Sequence, residues 1–432
     1  MSSWLSSPAW AESDRGGVIE NRHLIHASVV DASGRLLFSL GDPSRPTLLR
    51  SAAKPAQALA ILESGCFDLY PFDDADLALM CASHSSEDFH VSRARDMLRK
   101  IGNGMTEDYL QCGGHPPLSD RVHREWIKNE YEPTGLCNNC SGKHVGMIAA
   151  TIALGADVGT YHTPNGLTHA HVKKVVQEVT GLAENGNEDQ VQWGVDGCNL
   201  PAPAMPLRHL AGMYASFAAS VDVVESNLTL DQANRVGQSG SNSTGRSFGI
   251  GATPATDHVI ATLPTPIPTP SPSPSPAPTP TPTSAPSRAL NPSSSATPRD
   301  HHMSRIFLAM NTHPELVGGT SRFCTALMRS FPGLLIGKLG ADGCYGIGIR
   351  SCPQTRAMGA NGAVGMGVKI EDGNIEVLYA VVVEVLVQLG LLNEAGMSGE
   401  LKAFWKLERR NTMGVITGRV AMPFKLRVGE DS

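Results

Sequence analysis

These 432 residues hold no long uncharged apolar run, no excess of basic charge, no nucleotide-binding fingerprint and no disulfide-like set of cysteines; each absence removes a class of protein. The most apolar stretch, Val377 to Leu392, is interrupted by Glu384 and Gln388, so it reads as a buried or amphipathic helix and not as a membrane span. Met1-Ser2-Ser3-Trp4-Leu5 has neither a basic region nor a long apolar core, unlike a secretory signal, and a cytoplasmic location is the expectation. A formal net charge of -6 and a pI near 6.2 give no electrostatic reason to expect nucleic acid or an anionic membrane as partner. Nine cysteines, an odd number, fit a reducing compartment better than a disulfide framework. Neither GxGxxG nor GxxxxGK[ST] occurs, which removes the common nucleotide-binding loops.

What is present divides the chain into unlike parts. From Pro264 to Pro286 proline alternates with Thr and Ser, and a Ser/Ala/Pro-rich run continues to Asp300. Such a segment cannot bury enough apolar surface to offset its ordering entropy, and its prolines favour extended polyproline II. Its flanks, Leu228 to Gly237 and Met303 to Met310, read helix-like. Residues 239–300 are therefore expected to be a disordered insertion inside one folded domain made of residues 16–238 and 301–425.

Around the insertion the pattern mixes strands and helices. Leu24 to Val30 and Arg35 to Leu40 flank the turn Asp31-Ala32-Ser33-Gly34, a hairpin signal, and Thr47 to Leu49 reads as extended chain entering a helix. Leu77 to Ala82 is a buried helix or strand, and His144 to Leu154, Leu167 to Val179 and Leu207 to Val221 carry helical periodicity. Asp372-Gly373, between Val368 to Ile370 and Ile375 to Leu378, reads as a second hairpin turn.

The most informative pattern is Arg50-Ser51-Ala52-Ala53-Lys54-Pro55, because Ser-x-x-Lys places a hydroxyl and an amine on one face of a helical turn. A lysine can take a serine proton only where burial or a second cation lowers its pKa, so the pattern requires an enclosed site. Pro55 is cheap only in a first helical turn, which places Ser51 at or just ahead of the helix start. The plain alternative is an exposed helix face. Cys81-Ala82-Ser83-His84-Ser85-Ser86-Glu87 gathers hydroxyls, an imidazole and a carboxylate, or is simply a polar turn. Cys137-Asn138-Asn139-Cys140-Ser141-Gly142-Lys143-His144 holds half of a possible zinc or redox pair, and Asp196-Gly197-Cys198 supplies a further thiol, so Cys140 and Cys198 could share a metal or be inert core cysteines. Lys338, among Gly337, Gly340 and Gly343, either approaches a ligand closely or is a solvated turn lysine.

Together these five segments resemble the type II, rhizobial-type L-asparaginases, which also occur in fungi, in order and spacing over roughly residues 16 to 230 and 303 to 395. Ser86 departs from the glycine common there, and the insertion falls between the Cys198 and Lys338 motifs. The resemblance implies an α+β fold similar to serine β-lactamases and penicillin-binding proteins, mainly antiparallel sheet with flanking helices. It implies hydrolysis of L-asparagine to L-aspartate and ammonia through a Ser-Lys acyl-enzyme, with Ser51 as nucleophile, Lys54 as its base, and Ser83 with Lys338 relaying protons. It further implies substrate contacts from Arg50, Asp196 and His144, a zinc ion on Cys140, Lys143 and Cys198, and a homodimer. The alternatives are a glutaminase or other Ser-Lys acyl hydrolase, and a catalytically silent zinc-binding protein that uses the proline-rich tract for docking.

Overall fold

Three consecutive-in-space strands, Leu335–Gly340, Cys344–Ile349 and Val364–Ile370, are buried at every residue, as strands covered on both faces must be. They form one side of an antiparallel nine-stranded sheet in a computed structural model that describes residues 8–182, 191–239 and 295–429. The sheet continues through Val18–Asp31, Trp10–Arg15, Ile416–Ala421 and Glu408–Arg410, while Leu36–Leu40 pairs beside Val18–Asp31 and carries Arg427–Val428. A separate three-stranded sheet places Pro201–Pro206 between Pro46–Leu48 and Gln192–Val195. Contacts divide the chain into two units, residues 1–227 with 290–432 and residues 228–289, and both sheets belong to the first.

Glycine sets how the helical layer meets the sheet. Gly346 pairs with Gly367 and Gly348 with Gly365 across neighbouring strands, leaving a bare stripe. A Cβ at Gly365 would lie 1.8 Å from the Ala211 carbonyl oxygen, and one at Gly346 would lie 2.2 Å from the Tyr214 ring. The first turns of helix Leu207–Ser239, Leu207 to Ala218, thus rest on the strands at backbone distance. Tyr214 passes through this stripe and donates its hydroxyl to the Ala52 carbonyl at 2.8 Å, tying sheet and helix to the turn that carries Ser51.

Nine of the ten residues of helix Lys54–Glu63 are buried, which suits its weak amphipathicity and its alanines at 56, 58 and 60. It packs against helices Ser141–Ala153, Leu167–Val179 and Pro298–Thr312. The mixture of helices with an antiparallel sheet is the α+β class. The first hairpin forms as expected, with Asp31 accepting from the Ser33 and Arg35 backbone N–H groups, and Leu77 to Ala82 resolves into helix Asp74–Met80 and the turn after it.

Two expectations are corrected. Asp372-Gly373 opens no hairpin: the chain turns into helix Ile375–Gln388, because Asn374 accepts from the Val377 N–H as an N-cap and the following residues are buried at helical spacing. Of the tract read as 239–300, residues 240–294 lie outside the described residues, Ser239 closes helix Leu207–Ser239, and the last three residues belong to helix Pro298–Thr312, which Thr297 and Asp300 open with a capping box.

Candidate active site

The chain reaches Arg50 under constraint. Leu49 donates its N–H to the Pro203 carbonyl at 2.9 Å, and Arg50 then takes a left-handed φ of 50°. Ser51 follows in a 3-10 turn, Arg50–Ala53, and the α-helix proper begins at Lys54 with Pro55 in its first turn. A Cβ at Gly340 would lie 2.3 Å from the Leu49 carbonyl oxygen, so glycine there lets the Lys338 strand run directly beneath this turn. Ser86, Asn199 and Asp342 also have positive φ, each within or next to a motif. Left-handed non-glycine residues cost of order 1 kcal/mol or more each and persist only where surrounding contacts over-determine them.

Lys54, Ser83 and Lys338 converge. The Lys54 ammonium is fully buried and donates to the Ala82 carbonyl and, at 3.2 Å, to Ser83 Oγ. Lys338 Nζ, also fully buried, donates to the same Ser83 Oγ at 2.8 Å and to the Leu339 carbonyl at 2.8 Å. Lys338 is therefore no solvated turn lysine. Burial pushes its pKa down to about 7, with the Lys54 charge adding to the effect and Cys324 opposing it. The Ser51 hydroxyl is nearly buried and forms no hydrogen bond among the described residues, so the side-chain contact of Lys54 runs to Ser83 and not to Ser51.

The loop that carries Ser83 is pinned from behind. His84 Nδ1 accepts from the Ser86 N–H at 3.1 Å, which leaves Nε2–H to donate to Ser141 Oγ at 2.9 Å. Its imidazole is fully buried and stacked on His90, and burial holds it neutral, well below the usual histidine range. Glu87 accepts from the Thr320 N–H at 2.8 Å, so the same loop grips the segment leading to helix Phe323–Ser330.

Charge gathers on the other flank. Arg50 Nε donates to Asp196 at 2.6 Å and its Nη1 to Asp342. Asp196 also accepts from the Gly197 N–H at 2.8 Å. Burial works against its ionisation, but Lys143 and Arg50 hold its carboxyl below the usual range. Lys143 Nζ donates to Cys198 Sγ at 3.4 Å, and the thiols of Cys140 and Cys198 are in hydrogen-bond contact. That contact, with Lys143 helping and burial opposing, draws Cys198 down to about 5; the same contact together with burial pushes Cys140 up to about 12, against Lys54 and Lys143.

These segments, Ser51 to Lys54, Ser83 to Glu87, Cys140 to His144, Asp196 to Cys198 and Lys338 to Asp342, form one continuous neighbourhood, and the sequence model of the L-asparaginase II family matches the chain over residues 11–241 and 283–422. The chain belongs to the L-asparaginase II family. No curated protein matches it. Family membership carries amide hydrolysis as the class of chemistry and a small molecule as the substrate. No described helix is long and apolar enough to cross a membrane.

In this family member the two thiols of Cys140 and Cys198 and the amine of Lys143 are buried together, a donor set that suits zinc. Among the described residues no group of three or more His, Cys, Asp and Glu side chains could hold a metal, so a third protein ligand would have to be Lys143, giving up its proton. Against that loss, the Cys198 and Cys140 sulfurs hold Lys143 above the usual lysine range despite its burial. Cys137 takes no part: its sulfur contacts the Tyr131 hydroxyl at 3.3 Å.

His144 is fully buried, with Nδ1 accepting from the Tyr161 hydroxyl at 2.7 Å and Nε2 without a hydrogen bond. Reading the sequence misses Tyr161, Tyr214, Ser141 and Cys324, which receives the Tyr345 hydroxyl at 3.2 Å beside Lys338. No motif marks Tyr161 or Tyr214, and Ser141 lies inside the Cys140 to His144 segment without being singled out. The paired runs Gly346-Ile347-Gly348 and Gly365-Met366-Gly367, glycine at every second position, were a legible sign that something large lies on that face.

Proposed function

We propose that the chain hydrolyses the side-chain amide of L-asparagine to L-aspartate and ammonia through a serine-bound acyl intermediate, on a fold akin to the serine β-lactamases and penicillin-binding proteins. The observation that carries this reading is the meeting of two buried lysines on one serine hydroxyl, with Lys338 near neutrality at physiological pH. Ser51 attacks the amide carbon as its hydroxyl proton passes to Lys54, whose own proton has moved across the shared Ser83 hydroxyl to Lys338. The carbon–nitrogen bond breaks as Lys338, through Ser83, delivers a proton to the departing ammonia. Water then attacks the ester, gives a proton back to Ser51 and releases aspartate. The zwitterionic end of asparagine complements the Arg50 and Asp196 charges in sign. Zinc, held by Cys140, Cys198 and Lys143, would supply a Lewis-acidic centre beside Asp196 and tie the two cysteine segments together.

A second reading makes Ser83 the nucleophile with Lys338 as its base, and the 2.8 Å contact between them favours it. An electrophilic asparagine analogue followed by peptide mass mapping separates the two, because the adduct lands on Ser51 or on Ser83. Under the first reading Ser51→Ala lowers kcat by on the order of 10³-fold or more with the fold intact. Ammonia release from asparagine and from glutamine, measured on purified protein, tests the substrate. Release from neither would overturn the proposal, and faster release from glutamine would make the chain a glutaminase.

A further inference from the structure

One buried ammonium takes no part in the proposed reaction and has no acid paired with it. Lys369 lies in strand Val364–Ile370, and its Nζ donates to the Asp342 carbonyl at 2.8 Å and to the Ile370 carbonyl. No carboxylate pairs with it among the described residues. Glu371, two positions on, is engaged by Arg45, which reaches both of its oxygens. An ammonium taken out of water without a counter-ion is costly, and the strand itself needs none, since the cross-strand neighbours of Lys369 are His26 and Cys344. What Lys369 holds is a turn.

Between strands Leu335–Gly340 and Cys344–Ile349 the chain turns with Asp342 at φ 57° and Gly343 at φ 76°. A left-handed aspartate persists where contacts hold it, and here strand Val364–Ile370 grips two successive carbonyls. Lys369 takes that of Asp342, and the Ile370 N–H takes that of Gly343 at 2.8 Å. The turn sets where the Asp342 carboxylate stands, and that carboxylate accepts from Arg50 Nη1 while Asp196 accepts from Nε. The two anchors differ in kind. The Asp196 side chain is 8% exposed and is fixed by its surroundings, whereas that of Asp342 is 75% exposed and stands only as firmly as its own backbone. Arg50 Nη2 forms no hydrogen bond among the described residues, which leaves it for a ligand.

We propose that Lys369 is a positioning residue for substrate binding: by holding the Asp342 carbonyl it fixes the turn whose carboxylate aims the Arg50 guanidinium at the carboxylate of the substrate. The inference rests on the proposed reaction, in which the Arg50 charge receives the zwitterionic end of asparagine. Ser51 is held independently, through the Leu49 N–H on the Pro203 carbonyl at 2.9 Å and the Tyr214 hydroxyl on the Ala52 carbonyl at 2.8 Å. Loss of Lys369 therefore loosens the grip on the substrate and leaves the nucleophile in place.

Ammonia-release kinetics on asparagine, with calorimetric titration of L-aspartate into the full chain, test it. Lys369→Met is expected to raise KM for asparagine and Kd for aspartate by roughly fivefold or more while kcat stays within about twofold of the parent. Lys369→Arg keeps cationic donors near the carbonyl and is expected to stay close to the parent in both. Asp342→Gly removes the carboxylate at a φ that glycine accepts, and is expected to raise KM as Lys369→Met does. In the Asp342→Gly background Lys369→Met adds nothing further to KM, because the two act in series; a merely structural lysine would add its own effect. Circular dichroism checks each fold, and Lys369→Gln, one atom short of the native reach, replaces Lys369→Met if that variant does not fold. An active parent whose KM and aspartate Kd are unmoved by the loss of Lys369 overturns the proposal. So does a rise in KM that persists undiminished in the Asp342→Gly background. A parent that neither hydrolyses asparagine nor binds aspartate overturns the reaction, and this role with it.

Discussion

Lys338 offers the most exposing test, because its burial makes a signed statement about stability and about rate. Its folded-state pKa is near 7, against an ordinary value of 10.5. The unfolded chain therefore holds a proton that the folded chain has lost between those two values. Stability must rise with pH across that window, and below pH 7 the full cost of burying the ammonium remains. For this one group the expected gain between pH 7 and pH 9 is about 2 kcal/mol. Lys338→Met removes the titrating group while keeping much of its volume. Urea unfolding of parent and variant at pH 6, 7 and 9 isolates the term as the difference between the two profiles, since every other titrating group is common to both. The parent is expected to gain on the variant as pH rises from 7 to 9. If the two profiles run parallel, the ammonium is solvated or compensated in the folded protein, and the argument from burial fails. The proposed relay adds a kinetic signature. A neutral Lys338 is needed to accept protons from Ser83, so kcat/KM should climb with an apparent pKa near 7, and Lys338→Met should abolish that limb together with most of the activity.

Other consequences of the geometry can be checked more briefly. Tyr214→Phe removes the hydrogen bond to the Ala52 carbonyl and strands a buried acceptor, costing about 1–3 kcal/mol in urea unfolding, and lowers kcat more than it raises KM, because it loosens the turn holding Ser51. An unchanged kcat would separate Tyr214 from the positioning of that turn. Gly365→Ala forces a methyl against the Ala211 carbonyl and should destabilise by at least about 1–3 kcal/mol, read as a lowered urea midpoint; a neutral result would mean the helix can lift from the strands. Metal analysis should find about one zinc per chain in the parent and a clear loss in Cys198→Ser. Equal zinc in both would return Cys140 and Cys198 to the core.

Much of the local chemistry was legible because it is local. Ser-x-x-Lys-Pro announces its own turn: a proline there is tolerated in a first helical turn and almost nowhere else, and the structure starts the helix at Lys54 as that reasoning requires. The helix over Leu167–Val179 follows from its periodicity. The Asp372-Gly373 turn was misjudged for the same reason, since a tight turn before apolar residues serves a strand or a helix equally well until the cap at Asn374 is seen to close on Val377.

The amino-acid order by itself determined which side chains could do chemistry, where the turns fall, and that hydroxyls and amines recur in short motifs. Only the tertiary structure decided which amine meets which hydroxyl. Lys54 lies three residues from Ser51, yet its ammonium goes to Ser83, 29 positions away, where it is joined by Lys338 from 255 positions away. Sequence spacing limits what two side chains can reach, but burial settles what they choose. An ammonium taken out of water must find acceptors, and in this core the Ala82 carbonyl and Ser83 Oγ are the ones the packing brings to Lys54. The lowered pKa of Lys338 has the same origin, since it is a property of the enclosure built by sheet and helices and of no motif.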